Sequence, residues 1–162
     1  MNFKRIIAAI GSAAVLASSL PCAAAADGAC SVTDEFKSLD YTYEASAFAC
    51  SDTADAKYGD TSRAVKTDVW DSYIVYKFKG LKSFELVTYE TSSTKLVSRI
   101  LDTIVDIYLS EDGSEWVSAE VNTSFSSDEQ WRKYVYSCDS IDEDMRYLKI
   151  VAKRLGADYN SQ

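Results

Sequence analysis

Residues 72–79, with the sequence SYIVYKFK, decide the fold class of this chain. Ile74, Tyr76 and Phe78 alternate with the residues between them, so these three side chains share one face of an extended segment. Gly80 follows directly and ends the run. A pattern of period two therefore predicts a β-strand with one buried face.

The same pattern recurs along the chain. The Glu-Asp-Gly triplet at 111–113 predicts a turn between two such runs, because Gly and Asp tolerate the left-handed conformations that tight reversals need. The predicted strands are 72–79, 83–89, 103–110, 115–121, 131–138 and 146–153. The inner faces of the third and last are predicted to carry Val105, Ile107, Leu109, Leu148, Ile150 and Ala152.

Strands separated by turns rich in Gly, Asp and Ser, with no long helical pattern, predict an all-β fold, a β-sandwich or jelly roll. Residues 27–72 are polar and weakly periodic, and residues 97–101 fit either a strand or a helical turn. The chain after residue 26 has no internal repeat, low-complexity tract or linker. Residues 27–162 are therefore predicted to form a single β-sandwich domain.

Residues 1–26 have the pattern of a secretory signal peptide. Lys4 and Arg5 form a positive region, an apolar stretch follows, and small residues precede Asp27. An uncleaved anchor is less favoured because Gly11 and a pair of serines interrupt the apolar stretch. Lipidation of Cys22 is a further, weaker alternative. The protein is therefore predicted to be secreted.

Three cysteines follow this leader, and an oxidising environment predicts one disulfide and one leftover thiol. The preferred pair is Cys30 with Cys50, which would fix the start of the domain. Pairing of Cys50 with Cys138 stays open, as does pairing of Cys30 with another protein.

Composition excludes several functions. The 162 residues include no histidine, which rules out Ser-His and Cys-His nucleophilic sites and histidine-ligated metals. The net charge of −8 opposes nucleic acid, whose affinity comes from cations that neutralise phosphates. By the same repulsion it disfavours anionic membranes and acidic polysaccharides.

The order of the motifs resembles the galactose-binding-like jelly-roll superfamily, which includes discoidin-type domains and secreted bacterial carbohydrate-binding modules. The likeness covers roughly residues 57–153 and rests on Ser110, the Asp112-Gly113 turn, Trp116 and the Tyr-Leu-Lys-Ile run at 147–150. It implies a structural role for Trp116. The family usually has one more short closing strand, which here is missing or supplied elsewhere, so an exposed edge is expected.

Sugars stack on aromatic rings, and the chain has 3 Trp, 11 Tyr and 6 Phe. Trp70, between Asp68 and Asp71, and Trp131, beside Arg132, are the candidate sugar-binding aromatics, although both fit core packing as well. Loop-like sequence around Tyr58 and Arg63 completes the predicted carbohydrate site, although each residue alone also fits an ordinary surface loop.

Calcium binds six to eight oxygens, several of them carboxylates. Asp52, Asp55 and Asp60 lie near Gly59 and are the candidate ligands of a structural Ca²⁺; a solvated acidic loop is the competing interpretation. The stretch at 59–63, Gly-Asp-Thr-Ser-Arg, is similar to a loop that lies near calcium in the superfamily named above.

The predicted function is a secreted, non-catalytic carbohydrate-binding domain that recognises a plant or cell-surface polysaccharide or glycan through exposed aromatics. One alternative is an extracellular protein-adhesion or scaffold domain of the same fold, favoured by the leftover cysteine and the edge. The other is a small glycoside-active enzyme in which two carboxylates such as Glu85 and Asp106 act as acid and base. No nucleic-acid or membrane partner is expected.

Overall fold

The computed structural model describes residues 2–10, 22–24, 30–51, 62–68, 70–91, 105–127 and 131–153, and of residues 2–10, 22–24, 30–31, 90–91 and 131 it describes the backbone alone. These ranges contain strands and turns and no helix, so the protein is all-β, which confirms the fold class predicted from residues 72–79. Accordingly, no helix in the described part of the chain is long and apolar enough to cross a membrane.

The strands are short to medium in length and follow one another closely. In chain order they are β1 (Asn2–Ile10), β2 (Cys22–Ala24), β3 (Cys30–Asp34), β4 (Glu44–Ser46), β5 (Phe48–Ser51), β6 (Arg63–Lys66), β7 (Ser72–Lys77), β8 (Leu81–Thr91), β9 (Val105–Ser110), β10 (Val117–Ser118), β11 (Asn122–Ser127), β12 (Trp131–Cys138) and β13 (Tyr147–Ala152).

The strands form two antiparallel sheets. The large sheet has eight strands in the order β11-β12-β8-β1-β3-β2, with β6 also pairing with β1 and β5 pairing with β6. The small sheet has five strands in the order β10-β9-β13-β7-β4. One hydrophobic cluster draws residues from both sheets, so the sheets share a core.

Register explains how the small sheet fills this core. Ile150 in β13 pairs with Ile74 in β7 on one side and with Ile107 in β9 on the other. The three side chains form a row on the inner face, and each is at most 4% exposed. All nine residues predicted for the inner faces are buried: Ile74, Tyr76, Phe78, Val105, Ile107, Leu109, Leu148, Ile150 and Ala152.

The large sheet contributes the opposite wall of the core. β12 pairs with β8 along its whole length, which places Tyr136 beside Leu86 and Cys138 beside Phe84. These four side chains are buried members of the shared cluster. The predicted strands 83–89 and 131–138 are thus both present, the first of them extended at each end.

The predicted strand at 115–121 is largely wrong. Only Val117–Ser118 pairs there, with β9, and the next strand, β11, belongs to the other sheet. Residues 119–121 carry the chain from one sheet to the other. The polar segment before residue 72 also forms strands, β3 to β6, where weak periodicity indicated none. The edge strand β4 shows the reason, because Glu44 and Ala45 are both exposed and leave no alternation to detect.

Part of the predicted leader is a strand in this uncleaved chain. β1 pairs with β8 from Asn2 to Ile10 and with β3 from Ile6 to Ile10. It therefore lies inside the large sheet, between two strands of the segment predicted to form the domain. Cleavage after residue 26 stays a prediction, and it would remove β1 from between β8 and β3.

Candidate functional site

The outer face of the small sheet carries side chains that alternate with those of the core. In β7 these are Tyr73, Val75 and Lys77, and in β13 they include Tyr147 and Lys149. Register places Lys77 opposite Tyr147 and Val75 opposite Lys149. Aromatic rings and lysines from neighbouring strands therefore meet on one side of the sheet.

Two residues from outside these strands complete the group. Tyr43 precedes β4, and its backbone N–H donates to the carbonyl of Val75 at 2.8 Å. Trp116 precedes β10 and lies with its ring centroid 6.4 Å from that of Tyr147. We call the whole set the aromatic face; it comprises Tyr43, Tyr73, Lys77, Trp116, Tyr147 and Lys149.

Each lysine of the aromatic face lies over two rings. The Lys77 ammonium is 5.3 Å from the ring centroid of Tyr43 and 5.1 Å from that of Tyr147. The Lys149 ammonium is 4.7 Å from the ring centroid of Tyr73 and 5.2 Å from that of Trp116. All four distances lie within the range of cation–π attraction. The rings and ammonium groups thus alternate across the sheet.

Contacts between the rings make the aromatic face continuous. Tyr43 and Trp116 each meet Tyr147 edge to face, with an interplanar angle of 74° in both pairs. Tyr147 is 8% exposed and lies beneath, whereas Tyr43 is 60% exposed. Tyr147 therefore acts as the base on which the more accessible rings are held.

The turn after β9 positions Tyr147 and Trp116. Gly113 has φ +85°, and a Cβ atom there would lie 3.1 Å from Cζ of Tyr147. The Asp112 carboxylate accepts hydrogen bonds from the backbone N–H groups of Ser114 and Glu115 at 2.8 and 3.1 Å. These bonds fix the residues immediately before Trp116. The Glu-Asp-Gly turn predicted from the sequence is present.

Hydrogen bonds raise the pKa of two groups of the aromatic face. The Tyr73 hydroxyl donates to the Glu44 carboxylate, and this bond raises the pKa of Tyr73. A hydrogen bond to Tyr147 raises the pKa of Lys77, with electrostatic attraction to Tyr147 adding to it.

The sequence-predicted carbohydrate residues occupy separate elements. Trp70 is 57% exposed and precedes β7, with its backbone N–H donating to Oδ1 of Asp68 at 3.2 Å. Arg63 is the half-buried first residue of β6, and Trp131 is the first residue of β12 in the large sheet. Tyr58 lies outside the described residues. Their role in sugar binding stays a prediction.

The predicted calcium ligands Asp52, Asp55 and Asp60 also lie outside the described residues. In the part of the chain that is described, no three acidic or cysteine side chains gather in a way that would hold a metal ion. The calcium prediction is therefore neither supported nor contradicted.

Neither predicted disulfide is formed in the structure. Cys50 and Cys138 both carry free thiols, which rules out in this structure both the Cys30–Cys50 bridge and the Cys50–Cys138 bridge. Cys138 instead donates its thiol to the carbonyl of Ser140 at 3.3 Å. Burial raises the pKa of Cys50, and the nearby charges of Asp34 and Asp40 add to the rise, so this thiol is poorly reactive.

The carboxylates considered for glycoside cleavage are not brought together. Glu85 lies in β8 of the large sheet, between the inward-facing Phe84 and Leu86. Asp106 lies in β9 of the small sheet and forms a salt bridge with Lys153 at 2.7 Å. Because each alternates away from the shared core, the two groups lie on opposite outer faces. They cannot act together as acid and base.

Sequence reasoning missed the aromatic face, although the signal was present. The inward residues of β7 and β13 were identified correctly, and the outward set is their complement. Trp116 was assigned a structural role by the resemblance; in the structure it is partly exposed beside Lys149. Tyr43 had no signal, because the strand that positions it is a three-residue edge strand.

Comparison of this chain with models of protein families, with curated proteins and with solved structures found no match. Its function is therefore argued from the site alone.

Proposed function

We propose that this protein is a secreted, non-catalytic carbohydrate-binding domain whose ligand lies on the aromatic face. The observation that carries the proposal is the continuous set of rings and ammonium groups on the outer side of the small sheet. Rings offer flat apolar surface to the C–H faces of sugars, and Lys77 and Lys149 offer donors to hydroxyl oxygens. Preorganisation by Tyr147 and by the 111–115 turn lowers the entropic cost of binding.

The proposed fold is a β-sandwich of the galactose-binding-like jelly-roll type. Its support is the shared core of the two sheets together with the Ser110, Asp112-Gly113 and Trp116 turn, which corresponds to the resemblance noted in the sequence. A structural Ca²⁺ bound by Asp52, Asp55 and Asp60 remains part of this proposal. A rise in melting temperature on adding Ca²⁺ to chelator-treated protein would support it, and an unchanged melting temperature would oppose it.

The test is binding of the full chain to a panel of insoluble and soluble plant and cell-surface polysaccharides. Tyr43→Ala and Trp116→Ala should each weaken binding about tenfold, the scale expected for an exposed aromatic anchor. Phe125→Ala is the matched control, because Phe125 is 57% exposed but belongs to β11 of the large sheet. Circular dichroism should show that all variants fold.

Trp70→Ala forms a separate arm of this test. Loss of binding in Trp70→Ala but not in Tyr43→Ala or Trp116→Ala would place the sugar at the site predicted from the sequence and would overturn the assignment to the aromatic face. Absence of binding to every polysaccharide by folded protein would overturn the carbohydrate function itself.

An edge strand favours a second candidate, an extracellular protein-adhesion or scaffold domain. Among the described strands β11 pairs with β12 alone, which puts it at the end of the large sheet, and it has six exposed side chains. Such an edge accepts a strand from a partner. Loss of partner binding in Ser124→Pro, which removes a backbone N–H in the middle of β11, would support this candidate, whereas unchanged binding would oppose it.

A further inference from the structure

We propose that the glycan bound by the aromatic face is acidic, with carboxylate or sulfate groups that pair with Lys77 and Lys149. This inference rests on the proposed carbohydrate function and names the chemical class of its ligand. It runs against the charge of the whole molecule, which is −8. The proposal rests instead on the arrangement of charges around Lys77 and Lys149.

The two lysines are not neutralised by carboxylates. Among the described residues neither Lys77 nor Lys149 forms a salt bridge, and the groups that raise the pKa of Lys77 are Tyr147 and Tyr43. Lys82 and Lys153, by contrast, are paired with Glu143 and Asp106. The aromatic face thus presents two cations that have rings, rather than anions, as neighbours.

Three carboxylates of the small sheet and its first turn, those of Glu44, Asp106 and Asp112, are already engaged by other groups. Glu44 accepts the Tyr73 hydroxyl hydrogen bond, and Asp106 pairs with Lys153. The Asp112 carboxylate accepts several hydrogen bonds within its own turn, and these lower its pKa. An arriving anion therefore competes with no existing ion pair at Lys77 or Lys149.

Screening makes the local charges more important than the total. At physiological ionic strength the Debye length is about 8 Å, so carboxylates on the far side of the domain contribute little to the potential here. Lys77 and Lys149 lie within about 5 Å of the rings on which a sugar would stack. A carboxylate on a stacked sugar would thus lie close to an ammonium group, where a charge-assisted hydrogen bond forms.

The experiment compares charged polymers with neutral polymers of the same backbone, with the full chain as the binding protein. Polygalacturonate and its fully methyl-esterified form share one backbone and test carboxylates, whereas dextran sulfate and dextran test sulfates. We expect at least one charged polymer to bind about tenfold more tightly than its neutral form, with affinity falling between 50 and 300 mM NaCl, the behaviour expected of screened ion pairs.

Charge-removing variants locate the contact. Lys77→Met and Lys149→Met keep an apolar stem over the rings and remove the ammonium, so each should weaken binding of the charged polymer about fivefold. Binding of a neutral polysaccharide should fall by less, because each variant then loses one hydrogen bond to a hydroxyl and no ion pair. Lys133→Met is the matched control, since Lys133 lies in β12 of the large sheet.

The outcomes separate this inference from the function on which it rests. Equal binding of charged and neutral polymers, with Tyr43→Ala still defective, would overturn the acidic ligand and leave the carbohydrate function standing. Equal losses in Lys133→Met and in the two aromatic-face variants would also overturn it. Absence of binding to every polymer would overturn both.

Discussion

At the scale of the residue, Asp34 shows how the fold handles a buried acid. Its side chain is 1% exposed; Oδ2 accepts the Tyr76 hydroxyl at 2.7 Å, and Oδ1 accepts the backbone N–H of Phe36 at 2.8 Å. The second bond holds Phe36 in a left-handed conformation with φ 55°. Burial raises the pKa of Asp34, and the two hydrogen bonds offset part of the rise.

A raised pKa makes Asp34 a source of pH-dependent stability. Folding raises the pKa above its ordinary value of 3.8, so the folded state loses stability as pH rises from about that value through the folded pKa. The side chain of Asp34→Asn cannot ionise. Between pH 3.5 and pH 7 the unfolding free energy of the wild type should therefore fall relative to that of Asp34→Asn. Urea denaturation at several pH values measures this shift.

Tyr76→Phe is a second arm of the Asp34 experiment. It removes a hydrogen bond that stabilises the ionised carboxyl, so the loss of stability with rising pH should extend to higher pH and be larger in total than in the wild type. A difference between wild type and Asp34→Asn that does not vary with pH would contradict the argument.

Gly113 gives a second prediction at this scale. Its φ of +85° and the 3.1 Å approach of a Cβ atom to the Tyr147 ring both oppose a side chain. Gly113→Ala should cost about 1–2 kcal/mol of unfolding free energy from the backbone alone, with a further cost from displacing the ring. Thermal denaturation monitored by tyrosine fluorescence measures both effects.

Gly113→Asn separates the two costs, since Asn tolerates positive φ yet still carries a Cβ atom. It should therefore recover part of the stability lost in Gly113→Ala while still disturbing the environment of Tyr147. Wild-type stability in Gly113→Ala would mean that the turn adopts another conformation.

At the scale of the element, the turn between β9 and β10 depends on one carboxylate. Asp112 accepts hydrogen bonds from Ser114 and Glu115 and from the hydroxyl of Ser110, and these bonds lower its pKa. A lowered pKa means that its contribution to stability is present above pH 3.8 and is lost as pH falls below that value. The turn should therefore loosen in acid.

Asp112→Ala should lower the melting temperature at pH 7 and weaken polysaccharide binding. It removes the acceptor for the backbone N–H groups of Ser114 and Glu115, which precede Trp116. Asp112→Asn keeps one oxygen acceptor for the backbone N–H groups and should lose less of both. The wild type and Asp112→Asn should converge as pH falls from 3.8 through the lowered pKa of Asp112. An Asp112→Ala variant with wild-type binding would show that the turn does not position Trp116.

The sequence predicts elements where burial imposes a pattern and fails where it does not. In β7, β9 and β13 one face is fully buried, so period two is visible in Ile74, Ile107 and Ile150. β11 has six exposed residues and therefore carries no such pattern. Strand boundaries near Trp116 were missed for the same reason.

The aromatic face was harder to predict because it depends on which strands are neighbours. Tyr147 is an outward residue by alternation, but its contacts with Tyr43 and Trp116 arise from the order β10-β9-β13-β7-β4. The order of the strands brings together residues that are about one hundred positions apart along the chain, as in the ring contact between Tyr43 and Tyr147. A single sequence does not reveal that order.

At the scale of the whole molecule, the large sheet depends on its first strand. β1 separates β8 from β3, and Ala8, for example, pairs with Phe84 on one side and Val32 on the other. Removal of the predicted leader would take β1 and β2 out of this sheet. β8 and β3 would then each present unpaired backbone groups along a gap of one strand.

We therefore predict that the chain of residues 27–162 has a lower free energy of unfolding than the full chain, measured by urea denaturation at equal concentration. A synthetic peptide with the sequence of residues 2–10 should restore stability in trans, with a dependence on peptide concentration that follows binding to the folded state. The same peptide with Ala8→Pro should fail, because proline removes a backbone N–H from the centre of the strand. Equal stability of the two chains, unchanged by either peptide, would mean that β8 and β3 close the gap by themselves and that β1 is dispensable to the fold of residues 27–162.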